Sequence, residues 1–399
     1  MTVATSANSY DVIVVGLGAH GSATVRALAA RGVTVLGIDR FSPPHAWGSS
    51  HGETRITRQA VGEGEAYAPL VLRSHEIWRE LEADTKLDLL VQCGGLVLAP
   101  TGGTAKHHGH DDFLSNTITV ANRYGIDHEV LTATEIGRRF PQLMLRGDER
   151  GYYEPGAGLL HPERCIEAQL RVARAHGAHL RTDERVLTLD DDGSSVTVGT
   201  DKGSYRAAQA VVAAGAWIPE LAGGTFAQHL KVHRQTLHWF EADDITNYSP
   251  DRFPVFIWMW GDKAEDYFYG FPVETSGTLG VKVATEQYGS VSNPDSFDHD
   301  VSEEEQQSMY RAQVAPRLRG VGPRCIQSAA CLYTTSTDSG FLIDQHPEYP
   351  RITVVSACSG HGFKHSAGLG EAICNLYLDD GKYSSAFQPF LVKRLDIGA

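Results

Sequence analysis

Gly16, Gly18, Gly21 and Asp39 are the first residues in this 399-residue chain whose types and spacing suggest chemistry. The glycines form G-x-G-x-x-G directly after the β-branched run Val12 to Val15. In such a pattern the first glycine permits a tight turn. The second lets backbone approach a pyrophosphate, and the third lets a helix pack closely on a strand. Asp39 follows Gly21 by eighteen residues, near the spacing of about 20 at which an acid holds a ribose hydroxyl. The phosphates would rest on amides that open the helix. Dinucleotide binding is expected, with NAD and FAD both open.

Other residues stand out singly. Arg55 and Arg58, three apart in His51-Gly-Glu-Thr-Arg-Ile-Thr-Arg, would share a helix face but point to opposite sides of a strand. Alone they read as a solvated pair on an exposed turn; nearness to the glycine motif allows a role at the ligand. Lys282 lies in Gly280-Val-Lys-Val, an otherwise apolar strand, where a lysine is costly without a partner or a task. Cys331, in Ala-Ala-Cys-Leu-Tyr, reads alone as a buried strand cysteine. His107, His108 and His110 fall in the polar loop Thr101 to His110 without a cysteine nearby. No metal site is expected there.

The elements that position these residues follow from periodicity. Val12 to Val15 and Val33 to Ile38 read as buried parallel strands around an Ala-rich helix, Ser22 to Arg31. Tyr67 to Leu81 has the apolar spacing of a long helix, and Leu87 to Leu98 reads as a strand. Asp112 to Gly125 and Thr132 to Phe140 are expected helices, the second opening with a Thr132/Glu135 capping box. Gly151 to His161 is expected as a loop leading into the helix Glu163 to His176. Short strands follow, with a hairpin at Asp191-Asp192-Gly193. The last of them stops at Gly215, a second place for backbone to meet a ligand. Lys231 to Tyr269 is strand-rich and aromatic, read chiefly as core. Ser302 to Val314 reads as an acidic helix. Ile352 to Ser356 is a final buried strand. The turn Ser359-Gly-His-Gly362-Phe363-Lys364 then opens a helix from Ser366 to Leu378.

Bulk properties set limits. The length exceeds the ~250–300 residues at which one core usually stops growing, so two domains are expected. A net charge of -14 argues against a nucleic-acid surface, and no apolar run reaches the ~20 residues of a membrane span. Met1 to Ser9 lacks the charged and apolar regions of a secretory signal. Six scattered cysteines without C-x-x-C suggest a reduced, cytoplasmic protein.

Taken together and in order, several segments resemble the monomeric sarcosine oxidase and N-methyltryptophan oxidase family of FAD amine oxidases. They are Gly16 to Gly21, Gly48 to Arg58, Glu63 to Leu70, Gly151 to His161, Ala214 to Trp217, Tyr269 to Pro272, Ala330 to Tyr333, Phe341 to Asp344 and Ser359 to Lys364. The resemblance implies an α/β fold of two interleaved parts, as in flavoproteins of the glutathione-reductase and D-amino-acid-oxidase type. A Rossmann-like FAD domain would comprise residues 1–90, 150–225 and 335–399. A mixed-sheet catalytic domain would comprise 91–149 and 226–334. It further implies a monomer that oxidises a secondary amino acid with FAD. The imine is then hydrolysed, and oxygen is reduced to peroxide.

The same resemblance gives residues roles. Cys331 would carry the flavin covalently, its thiol acidified by nearby positive charge. Arg58 and Lys364 would hold the substrate carboxylate, with Tyr333 donating to it and Tyr269 flanking the substrate. Lys282 would stand against the flavin where oxygen is reduced, with Arg55 and His51 near the ring. Arg40, Gly215, Gly362 and Phe363 would join the glycine motif and Asp39 around FAD. Relatives tend to carry histidine four residues after the oxygen-site lysine, where this chain has Glu286. That carboxylate would favour a substrate with a second cationic group. With the unusual aromatic stretch Phe256 to Trp260, it points away from sarcosine itself. Two rival readings are a flavin dehydrogenase or D-amino-acid oxidase relative using another acceptor, and a non-catalytic flavin-binding sensor.

Overall fold

The computed structural model describes residues 9–395 except 103, 104, 106, 262, 264 and 380–384. The N-terminal segment read above as lacking a signal falls almost wholly outside them.

Strand Ser9–Val15 is the centre of the first sheet. It pairs in parallel with Ser204–Val212 on one side and Val35–Ile38 on the other. His179–Arg181 extends the sheet beyond Val35–Ile38, and Ile352–Ser356 adds in parallel beside residues 210–212. The first half of Ser204–Val212 instead joins the antiparallel hairpin Val186–Asp191 and Val196–Thr200. Ser204–Val212 is therefore a single strand that passes from the hairpin into the parallel sheet. Period-two alternation sends Val12 and Val14 to one apolar layer and Ile13 and Val15 to the other. All four are 0–3% exposed, and each contributes about 1.5–3 kcal/mol of burial. Helices Ala19–Ala30, Pro162–Ala175 and Ser366–Leu378 cover the first of these faces.

A second, mostly antiparallel sheet of eight strands runs Val321–Ser336, Leu230–Ala242, Val281–Ala284, Tyr267–Gly270, Val255–Met259, Gly95–Pro100, Glu149–Glu154 and Glu129–Thr132. One face packs Phe240, Phe256, Trp258 and Phe268 into a dense core. Alternation turns Lys282, Tyr269 and Tyr333 to the opposite face, although Val281, Val283 and Phe268 beside them are core. A lone lysine in an apolar strand is thus explained by the pleat.

Three smaller differences from expectation have local causes. Leu87 to Leu98 is broken: Leu90–Val91 joins a three-stranded sheet and Gly95–Pro100 the large one. Gly151 to His161 is not a loop but part of Glu149–Glu154 and then Gly158–Leu160. Pairing on both sides of these strands overrides the glycine-rich composition. Arg55–Thr57 pairs with Gly158–Leu160, so the arginine segment is a strand, not an exposed turn. The capping box at Thr132 and Glu135 is present.

Candidate active site

The glycine motif opens an elongated cleft of about 1370 Å³ at the end of the parallel sheet. Gly16 has φ +90°, and a Cβ on Gly21 would meet the Gly16 carbonyl oxygen at 1.7 Å. The turn therefore requires both glycines. Gly18 caps helix Ala19–Ala30 without a side-chain hydrogen bond, leaving first-turn amides available to an anion. Asp39 accepts from the Leu17 amide at 2.6 Å and the Phe41 amide at 2.8 Å. It therefore also braces the glycine turn. Arg40 is held by Asp295, which also accepts from Trp217 Nε1.

Gly16, Gly18, Asp39, Arg40, Arg55, Gly215, Gly362 and Phe363 line this cleft. Gly21 supports it from behind. His51 and Cys331 are buried and outside the lining; Lys364 lines a neighbouring chamber instead. His51 Nε2 and His20 Nδ1 are buried polar atoms without partners. Glycine turn, open helix end and orphaned ring nitrogens together fit a bound dinucleotide, FAD included.

The second chamber, about 560 Å³, is lined by Arg55, Arg58, Tyr269, Lys282, Tyr333 and Lys364. Arg55, Tyr333, Gly360 and Phe363 line both cavities. Every group expected to meet substrate is therefore at one place, next to the cofactor cleft. Tyr269 and Tyr333 hydroxyls lie 3.2 Å apart. Arg55 donates to the carbonyls of Ser49 and Thr54, both at 2.8 Å.

Lys282 Nζ donates to Gly52 O at 2.6 Å, Thr54 O at 2.8 Å and Thr54 Oγ1 at 3.0 Å. Its ammonium sits over the Phe271 and Trp239 rings. Burial and then Arg55 pull its pKa well below the usual lysine value. Cys331 packs with Trp239, Tyr333 and Cys358. Burial pushes its thiol pKa up, and Arg55 and Lys282 only partly oppose that. The expected acidification is thus outweighed by desolvation. Burial, helped by Arg55 and Lys282, lowers His51 to about 3.

Arg58 is 3% exposed, so the solvated-pair reading fails. Its guanidinium donates to both oxygens of Glu63, at 2.9 and 2.8 Å, and to Ala60 O at 2.6 Å. Glu63 also receives Lys364 Nζ at 3.3 Å and His108 Nδ1 at 3.2 Å. Burial would raise the Glu63 pKa, but Arg58, Lys364 and His108 hold it well below the carboxylate range. Burial lowers Lys364 to about 8 despite Glu63.

His108 continues to Glu286, its Nε2 2.8 Å from Oε1, and Tyr288 donates to Oε2 at 2.6 Å. Burial disfavours the imidazolium, but Glu286 and Glu63 outweigh it and raise the His108 pKa. Glu286 falls to about 2 because His108 overcomes burial. The cation that Glu286 calls for thus comes from the protein, not from the substrate as expected. His107, His108 and Glu286 ligand atoms lie within 4.8 Å of one another. Both His108 nitrogens already face carboxylates, which accounts for the cluster as an ion-pair chain. Sequence reasoning missed Glu63 and His108. Glu63 was legible only as an acid five residues after Arg58; His108 comes from a distant loop and leaves no local signal.

A family model described as FAD dependent oxidoreductase matches residues 11–376. Monomeric sarcosine oxidase of Streptomyces avermitilis is 36% identical over 93% of this chain and 94% of its own length. N-methyl-L-tryptophan oxidase of Salmonella enteritidis is 33% identical over 96% of this chain and 99% of its own. Among solved structures, the open form of NikD, an unusual amino acid oxidase essential for nikkomycin biosynthesis, superposes with a TM-score of 0.79. It is 25% identical, over 94% of this chain and 96% of that one. With a glycine cradle, a paired chamber and full-length similarity in agreement, the chain belongs to the FAD-dependent oxidoreductases of the monomeric sarcosine oxidase and N-methyltryptophan oxidase family.

Proposed function

We propose that this protein oxidises secondary amino acids, N-methylated, N-alkylated or cyclic, with FAD joined covalently to Cys331 and oxygen as acceptor. The observation that carries the reading is the abutment of a dinucleotide cleft and a cation-lined chamber sharing Arg55, Tyr333, Gly360 and Phe363. The named activities of the sarcosine and N-methyltryptophan oxidase relatives support the substrate class.

In the glycine-lined cleft FAD would supply an acceptor for the hydride of the C–H bond beside the amine nitrogen, with oxygen as the final electron acceptor. The chain's residues do the rest. Arg58 and Lys364 hold the carboxylate. Lys364 uses two of its three N–H groups on Glu63 and His361 O, which leaves one for a ligand. Tyr333 donates to the same carboxylate and Tyr269 flanks the substrate. A fixed carboxylate orients the reacting carbon and saves the entropy of alignment. Lys282, immobilised by three acceptors, presents preorganised positive charge where oxygen gains an electron. Arg55 and His51 assist attachment at Cys331, where Arg55 and Lys282 favour the thiolate against burial.

The cofactor body is assigned to 1–90, 150–225 and 335–399 and the catalytic body to 91–149 and 226–334, with the correction that strand Glu149–Glu154 pairs within the second sheet and so belongs to the catalytic body. The protein is assigned as a cytoplasmic monomer whose partners are the amino acid and oxygen. Its free cysteines and the lack, among the described residues, of a helix able to cross a membrane support that setting. The test is peroxide release and oxygen uptake with a panel of N-methyl, N-alkyl and cyclic amino acids. Stoichiometric peroxide with any class member supports the reading; flavin reduction with no oxygen uptake would assign another acceptor.

A further inference from the structure

Lys282 spends all three of its N–H groups on neutral acceptors, Gly52 O, Thr54 O and Thr54 Oγ1. A buried charge without a paired anion is disfavoured, and Arg55 adds repulsion. The charge on Lys282 must therefore be balanced from further away. The other titratable groups that face it are His51, Cys331, Glu53 and Glu163. The Glu53 carboxylate is engaged by Trp239 Nε1, Thr278 Oγ1 and Gln327 Nε2.

Glu163 reaches the lysine through one peptide group. The oxygen of the Gly52–Glu53 peptide lies 2.6 Å from Lys282 Nζ, and its N–H donates to Glu163 Oε1 at 3.1 Å. In a trans peptide these two ends point in opposite directions. The ammonium thus meets the negative end of the peptide dipole, and the carboxylate meets the positive end. Hydrogen bonds linked in this way polarise one another. Glu163 Oε1 also accepts from the Gly52 amide at 2.7 Å, so it fixes the turn as well as its polarity. Gly52 has φ +96°, and a Cβ there would lie 2.5 Å from Leu237 Cδ1, so the turn closes only around glycine. An acid in the first turn of helix Pro162–Ala175 suits the helix dipole on its own account. That does not explain why its oxygen reaches out to a turn in a distant segment.

We propose that Glu163 is a positioning residue for the oxygen half-reaction, its carboxylate holding Lys282 as an ammonium through the Gly52–Glu53 peptide. This rests on the oxygen role of Lys282 given above and deepens it. The test titrates flavin-loaded wild type and Glu163→Gln from neutral to alkaline pH with two readouts. One is NMR of isotope-labelled lysine side chains, with Lys282→Met identifying the signal. The other is the stopped-flow rate of flavin reoxidation. Glutamine keeps an acceptor oxygen for both amides and removes only the charge. An anion favours the ammonium, so its loss lowers the lysine midpoint. The Lys282 signal and the alkaline limb of reoxidation should both move down by about one pH unit in Glu163→Gln. Glu163→Asp retains the charge and should keep most of the wild-type midpoint. Glu53→Gln should shift it less than Glu163→Gln does.

An unmoved Lys282 midpoint in Glu163→Gln would overturn the assignment and leave the oxidase reading intact. So would a shift as large in Glu53→Gln, or an aspartate variant that moves as far as the glutamine variant. A moved NMR midpoint with an unmoved reoxidation limb would uphold the link from Glu163 to Lys282 and instead remove the lysine from the oxygen step.

Discussion

Arg58 Nη2 donates to both carboxylate oxygens of Glu63, at 2.9 and 2.8 Å, and both residues are almost fully buried. Glu63 also faces Lys364 and His108, and all three cations hold its pKa down. Removing one partner of such a buried set costs about 3–5 kcal/mol. Glu63→Ala should therefore melt at a markedly lower temperature. Because the abandoned cations seek an anion, methoxyacetate should raise the melting temperature of Glu63→Ala more than that of wild type. Equal shifts would argue that Glu63 is not the resident counter-ion.

Covalent attachment can be separated from cofactor binding. Cys331→Ser should release its flavin on denaturation, whereas Cys358→Ser should keep a fluorescent band on an acidified denaturing gel. The comparison matters because Cys358 lines the cleft and packs against the cluster that holds Cys331. Retention in the first variant and loss in the second would move the bond to Cys358.

Lys282→Met should leave amine oxidation nearly intact and slow reoxidation by about 100-fold, the usual scale for losing one preorganised electrostatic partner. Stopped-flow measurement of each half-reaction reads this directly. Comparable losses in both halves would assign Lys282 to packing over Trp239 and Phe271.

The hold on the carboxylate should depend on pH. Burial brings Lys364 down to about 8, so its ammonium is present below that pH and lost as pH rises through it. Affinity for methoxyacetate, read from flavin absorbance, should fall on that alkaline limb. Lys364→Met should bind about tenfold more weakly at pH 7, the scale of one charge-assisted hydrogen bond. Its alkaline decline should be shallower, because His108 and His361 still face Glu63 but the lysine no longer titrates there.

The sequence made some of this readable because the signal was local. The glycine turn and its acid, the helix cap at Thr132, and the final strand Ile352–Ser356 depend on neighbours a few residues away. Lys282 was conspicuous because one charge interrupted an apolar run. Its face of the sheet was settled only by register, Trp239 against Lys282. The role of Glu63 was hidden, since its partners Lys364 and His108 come from remote segments. The strands around Gly158 were obscured by composition, because only pairing partners on both sides hold glycine-rich backbone extended. The direction of the Cys331 shift also required burial to be known, since charge alone predicts the opposite sign.

The cofactor cleft joins Gly16 and Asp39 to Ala357, Gly362 and Phe363. A ribosome must therefore pass residue 363 before the far wall of that cleft exists. Loading of FAD should consequently wait for this late segment. Nascent fragments truncated before residue 352 should be unable to retain it, however well their first strands assemble.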